Sequence, residues 1–431
     1  MRRTEQRLGN PASGWEVLRR AGVAFAVALP VYVAWAHGVL DFERNSALAA
    51  SLLGAFVIYI FTRPRAVEWA PVLALGSACS ALYFWRNDGF GGFFLAAPIV
   101  CGAMLGVASI MVLGIQAILC EPIKRAARLG AVIAAAFVPY LTIALAFAVK
   151  MTSRLHAPAY DLYLYAFDQS LRVPVGAAAA RLLSLAPPLA TAAALVYGML
   201  PLAIGILIAV QRARPRWFSV DLIKLLLIAG IFGFLVYSAF PAAGPRYAFG
   251  QKFPGDLPGV EGLVIEPVPV TGVPRNAMPS LSLACVLLLW WNGRRLPAWG
   301  KVFMIPFAVL TILATLGLGE QYFIDLVVAL PFTVAMQALA LSDARMRSHL
   351  RWAPLAGGAV LTAGWLFALR LAGPLFQNDV WLSWGTVVGT LLLCALGRIM
   401  LDHAADGVIP QALNVTEFPV HTPRRAAFSK R

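Results

Sequence analysis

Residues 275–331 read RNAMPSLSLACVLLLWWNGRRLPAWGKVFMIPFAVLTILATLGLGEQYFIDLVVALP. An apolar run opens at Pro279, and a basic turn with Arg294, Arg295 and Lys301 reverses the chain. A second run brings it back, and a third opens at Tyr322. The first and third runs therefore leave the same side of a membrane. Each carries a polar cluster at that shared end: Arg275, Asn276, Ser280 and Ser282 on one, Glu320, Gln321, Tyr322 and Asp325 on the other. Ionisable groups at membrane depth are expensive, so Asp325 beside an apolar run marks a functional position. Gln321 and Asp325 are four apart and share one helix face. Proline suits a first helical turn, which predicts a helix from Pro279 whose free N–H groups at Ser280 and Leu281 offer an anion site.

The rest of the chain fits this reading. It has 431 residues, 60% of them hydrophobic and only 13% charged. That composition excludes a soluble domain and predicts an all-α polytopic membrane protein. The net charge of +15 does not imply nucleic acid, because Lys and Arg sit in short turns between apolar runs. Cys79, Cys101, Cys120, Cys285 and Cys394 lie in or beside apolar runs without metal-ligand spacing. No disulfide framework, metal site or cofactor is expected from them.

At ~20 residues per crossing, twelve spans are expected. They fall at about 21–40, 46–62, 69–85, 92–118, 130–149, 188–210, 218–240, 279–293, 302–319, 322–341, 353–373 and 380–400. Residues 150–187, with His156, Asp161, Asp168, Arg172 and Arg181 among aromatics and alanines, predict a re-entrant or interfacial amphipathic segment. The Pro- and Gly-rich stretch from Pro241 to Met278 is long enough to be a functional loop. With the N-terminus inside, roughly 23 Lys and Arg fall on the inner side and about 9 on the outer side. Both termini are then cytoplasmic, and the polar clusters at 275–282 and 320–325 face outward. A bacterial inner membrane is the expected location. Without a visible internal repeat, an inverted-repeat transporter gains no support from the twelve spans.

Four segments carry a resemblance. Pro279-Ser280-Leu281-Ser282 and Gln321-Tyr322-Phe323-Ile324-Asp325 are similar to the second and third signatures of the type 2 phosphatidic acid phosphatase superfamily, in its inositolphosphotransferase-like branch. Pro241 to Tyr247 resembles the first signature, and Tyr160-Asp161 through Asp168 to Leu171 the usual lead-in. The resemblance covers roughly residues 130–341, with six core spans expected there at ~20 residues each. The implied organisation is a basic tail over 1–20, a four-span block over 21–129, the core, a hairpin over 342–400 and a tail over 401–431. The family implies an outward-opening site that handles a membrane lipid phosphate or polyprenyl phosphate.

Two residues depart from the pattern. In the family, a histidine at the position of Gln321 takes the phosphoryl group, and one at the position of Ser282 protonates the leaving oxygen. A neutral amide cannot form a phospho-enzyme, and a serine hydroxyl is too weak an acid for the second task. Asp325 matches the aspartate that orients the nucleophile. Ser280 matches the family's serine, with helix capping as its plain alternative role. Arg246, in Gly-Pro-Arg-Tyr, is the candidate phosphate clamp, since guanidinium suits phosphate oxygens bidentately, and Arg275 is a second source of positive charge. Glu320 reads as a solvated helix end. Thr315 stands where many members carry an arginine that this branch does not depend on. His156 is the outer-facing histidine near the core, and an interfacial position is its plain reading. Two functions stay open: a lipid phosphatase or phosphotransferase impaired in phosphohistidine chemistry, and a non-catalytic protein that binds lipid phosphate or a partner. A transporter is the third and weakest.

Overall fold

The computed structural model describes residues 46–86, 96–259, 264–293, 296–341 and 349–406. The first expected span, the N-terminal tail, the turn at 87–89, His37 and His421 lie outside these residues, as do the side chains of Arg294, Arg295 and His349; of the C-terminal tail expected over 401–431, residues 401–406 continue the last helix and the rest lies outside. The described chain is almost entirely helical, as an apolar chain must be to satisfy its backbone polar groups in lipid. In order the elements are α1 (Ser46–Phe61), α2 (Ala66–Arg86), α3 (Ala96–Leu119), α4 (Pro122–Leu155), β1 (Pro158–Ala159), α5 (Asp161–Ser170), α6 (Val175–Leu185), α7 (Pro187–Gly198), α8 (Leu200–Ala213), α9 (Leu222–Ala239), α10 (Pro245–Phe249), β2 (Val268–Pro269), α11 (Leu281–Asn292), α12 (Ala298–Gly317), α13 (Phe323–Ala340), α14 (His349–Leu371), α15 (Gly373–Asn378) and α16 (Val380–Asp406).

Among the described residues, eight helices are long and apolar enough to cross a membrane. Shorter apolar helices α1, α8 and α11 stand where the second, sixth and eighth spans are expected. The protein is an all-α polytopic membrane protein. The fifth expected span, 130–149, is only the apolar middle of α4, which runs from 122 to 155. At 1.5 Å per residue this helix is about 50 Å long and overshoots a hydrocarbon core of about 30 Å. Pro122 starts it in the first turn, where a missing N–H costs nothing. The expected sixth span is divided between α7 and α8, with Pro201 just after the break. The helices α6 and α7 meet at 117°, the geometry of a broken span or a re-entrant loop, and the bend joins the end of the segment expected over 150–187 to the start of the expected sixth span.

The loops sort to two ends. At one, Arg128 of α4 donates to Glu68 of α2 (3.0 Å) and to Gln116 of α3 (2.8 Å). At the other, the two-residue strands pair antiparallel, Pro158 with Pro269 and Ala159 with Val268. Arg246 and Asp325 share this second end, since Arg246 N–H donates to the Gly319 carbonyl (2.9 Å) and Ser280 N–H to the Asp325 carbonyl (3.1 Å).

Two kinds of packing hold the helices. In the N-terminal spans, backbone meets backbone: a Cβ on Gly106 would lie 1.9 Å from the Leu52 carbonyl oxygen, so the close approach of α3 to α1 at this point requires glycine. Gly54 and Gly205 bring α1 and α8 together in the same way. The core helix is α13, 83% buried over its apolar length. Its last carbonyls, Ala338 and Leu339, accept from the buried Arg351 of α14 at 2.8 and 3.2 Å. A cation there also suits the negative end of the helix dipole. Asn292 and Gln337 exchange amide hydrogen bonds between α11 and α13 (2.9 and 3.3 Å). The hairpin of α14 to α16 packs directly on α5 and α13. Phe167 sits edge-on to Trp365 (5.2 Å) and Phe376 (5.1 Å), and Trp384 donates to the Leu171 carbonyl (3.1 Å).

Candidate functional site

The site end is built on α5. Asp161 and Asp168 are seven apart, two helical turns, and lie on one face. The buried Asp161 carboxylate accepts from the N–H groups of Ala243 (3.0 Å) and Gly244 (2.8 Å) and from the Tyr322 hydroxyl (3.1 Å). Asp168 accepts from Phe323 N–H (2.7 Å) and Ile324 N–H (3.1 Å), the first two donors of α13. Asp325 turns back within α13 and accepts from Tyr322 N–H (2.7 Å). Carboxylates therefore fill the N-terminus of α13, where the dipole favours negative charge. Burial pushes Asp161 up from the usual carboxylate range, against its N–H and hydroxyl bonds. Desolvation likewise pushes Asp168 up to about 7, against its two N–H bonds.

Backbone bonds close the rest. Tyr160 N–H donates to the Pro241 carbonyl (2.7 Å), and Ala277 N–H to that of Ala242 (2.9 Å). Gly244 has φ +104°, and a Cβ there would lie 2.2 Å from the Glu320 carbonyl oxygen, so glycine is required for this approach. The three segments around Arg246, Ser282 and Gln321 thus meet at one end of the bundle.

The individual side chains divide into two groups. Arg246 is 59% exposed and faces Glu320, 22% exposed, with Nη1 3.5 Å from Oε1. The Tyr247 hydroxyl donates to the same carboxylate (3.2 and 3.3 Å), and its ring lies 5.9 Å from the Arg246 guanidinium carbon. Burial pushes Glu320 up, while Tyr247 and Arg246 pull it down. Glu320 is therefore not the freely solvated helix end expected from sequence: the close Gly244 contact folds it under Arg246. Ser282 donates to the Tyr197 hydroxyl of α7 (3.3 Å), and Tyr197 lies in electrostatic reach of Glu320 and Tyr247.

The second group is committed to the scaffold. Arg275 is fully buried, and its guanidinium donates to the carbonyls of Val273 (2.7 Å), Ala157 (3.0 Å) and Val270. Its N–H donates to Thr152 Oγ1 (2.8 Å) on the overshooting end of α4. Arg275 straps the β1–β2 loops, a position that sequence proximity to α11 did not reveal. The helix α11 begins at Leu281 rather than Pro279, with Ser280 as its N-cap. Ser280 is buried, and its hydroxyl accepts from Leu283 N–H (3.2 Å), which is the capping role. The Ser280 N–H is taken by the Asp325 carbonyl (3.1 Å), so this donor at the start of α11 is also in use. Gln321 and Asp325 are buried, and Gln321 Oε1 and Asp325 Oδ1 have no hydrogen-bond partner. His156 caps the end of α4, and no hydrogen bond joins its ring to these groups.

Sequence reading placed Asp161 and Asp168 in the lead-in and Tyr247 in the first signature without giving them a role, and did not name Tyr197. The seven-residue spacing of the two aspartates was the available signal. The family model described as the PAP2 superfamily matches residues 162–339, from α5 to the last turn of α13, and supports that superfamily for this stretch. No curated protein and no solved structure matches the chain.

Proposed function

We propose that this membrane protein binds the phosphate of a lipid headgroup at the end where Arg246, Glu320 and Ser282 meet, as an inositolphosphotransferase-like member of the superfamily impaired in phosphohistidine chemistry. The observation that carries the reading is the meeting of the three signature segments at one end, with Arg246 as an exposed guanidinium there. Guanidinium is suited to phosphate oxygens. The charge bias of the turns supports an outward-facing site. The family match supports a phosphatase-type fold for the stretch that holds these residues.

The chemistry argues for binding without family-type turnover. Transfer through a phosphohistidine needs an imidazole at 321, and Gln321 offers an amide with no nucleophilic lone pair. The leaving alkoxide needs a proton from 282, and Ser282 is a far weaker acid than an imidazolium. Loss of general acid help alone costs typically ~10²–10⁴-fold.

The test compares the protein with its Ser282→His plus Gln321→His variant, scoring phosphate release from a panel of lipid phosphates and binding of the same lipids. Binding is expected in both, and release only in the double variant. Robust release by the unaltered protein, unchanged by Gln321→Ala or Ser282→Ala, would overturn the reading.

A further inference from the structure

Glu320 creates a problem for a purely anionic ligand. A phosphate drawn to Arg246 must take the guanidinium from a carboxylate already facing it at 3.5 Å. That would leave a largely buried carboxylate beside an incoming negative charge. Arg246 is exposed and loses little, but the less solvated Glu320 would be left with no positive charge beside it. The Tyr247 hydroxyl, already bonded to Glu320, supplies a dipole but no positive charge.

Resting on the proposed lipid-phosphate site, we infer that Arg246 and Glu320 together select a zwitterionic headgroup, a phosphodiester that carries an ammonium group at its other end. The phosphate takes Arg246, and the ammonium takes the place of Arg246 on Glu320. The pair has no net charge, and neither has the ligand. One internal ion pair is therefore exchanged for two across the interface, and no charge is left unpaired. The geometry favours this exchange. The existing contact is long and single rather than bidentate, and Arg246 is the exposed partner, free to swing out. The Tyr247 phenol, hydrogen-bonded to Glu320, offers an aromatic face or an oxygen to a cation beside that carboxylate.

The experiment is native mass spectrometry of the purified full-length protein in detergent, titrated with phosphatidylethanolamine, phosphatidylglycerol and phosphatidic acid. The expected result is a preference of about tenfold for phosphatidylethanolamine over both anionic lipids, the equivalent of one charge pair of about 1.4 kcal/mol. Glu320→Gln should abolish the preference, with phosphatidylglycerol gaining and phosphatidylethanolamine losing. Tyr247→Phe, which leaves the carboxylate in place but removes its hydroxyl partner, should narrow the preference in the same direction. Arg246→Gln should weaken all three lipids. Equal binding of phosphatidylethanolamine and phosphatidylglycerol by the unaltered protein would overturn the inference, as would a preference that survives Glu320→Gln. If Arg246→Gln weakens binding but no preference exists, only the inference fails. If Arg246→Gln changes nothing, or no lipid binds, the site reading fails and the inference with it.

Discussion

The crossing of α1 with α3 and the start of α13 are held together in opposite ways. At the crossing, Gly106 lies against the Leu52 carbonyl with no side chain between them. At the start of α13, two donors of one helix end on a carboxylate of another, Asp168, whose position in sequence is 155 residues from Phe323. The first contact works by the absence of atoms and the second by the presence of two oxygens. Membrane helices lack a hydrophobic drive to associate, so close backbone approach is one available adhesive and buried hydrogen bonding another. Here the first kind is clearest where α1, α3 and α8 cross, and the paired helix-start donors of the second kind sit where the candidate site is.

The two should break under opposite changes. Asp168→Ala removes the acceptor of two helix-start donors, at ~1–3 kcal/mol per unsatisfied group, so a loss of about 2–6 kcal/mol is expected. Asp168→Asn keeps one acceptor and should cost less. Thermal unfolding in detergent measures both, and a silent Asp168→Ala would show that water replaces the carboxylate there. Gly106→Ala adds a single methyl and should cost about 1–3 kcal/mol, because the opposing atom is backbone and cannot rotate away. Unchanged stability on that substitution would mean that α1 and α3 are not in contact at this point.

A pH scan sharpens the comparison, because the Asp168 contact carries a titratable group and the Gly106 crossing does not. The folded-state value of Asp168, about 7, lies above its ordinary 3.8. Between these values the folded protein holds a proton that the unfolded chain releases. Its contribution to stability is therefore fully present below about pH 4, falls as pH rises through 7, and then levels off. Asp168→Asn should remove that part of the slope, whereas Gly106→Ala should shift the whole curve without changing it. The smallest effect is expected at Arg370. Its guanidinium lies 4.1 Å from the Tyr160 ring centre and donates to the Ala239 carbonyl (2.6 Å). At an exposed site a cation over a ring is worth ~0.5–1 kcal/mol. Arg370→Gln should loosen the Pro241–Gly244 loop locally, seen as faster hydrogen exchange at Ala243 and Gly244 without a large change in unfolding temperature.

The apolar runs and the basic turns made the bundle legible, because lipid demands length and apolarity and leaves charge at the ends. The grouping of 241–247, 279–282 and 321–325 at one end was legible for the same reason. Side-chain assignments were less so. Arg275 precedes α11 in sequence like a site arginine, yet its three acceptors come from loop carbonyls whose folding no local pattern encodes. Glu320 follows a helix and reads as solvated until Gly244 is seen pressed against its carbonyl. The full length of α4 was hidden because an apolar count sees the membrane stretch and misses polar turns that continue the same helix.

The place of α14 to α16 against α13 bears on how the protein is made. Synthesis proceeds from the N-terminus, so α13 enters the bilayer before the helices that cover it. Until α14 arrives, the Ala338 and Leu339 carbonyls lack Arg351. Until α15 arrives, Phe167 on α5 lacks Phe376. The far end of α13 and the α5 side of the site end are thus completed last, although every signature residue has by then already been translated.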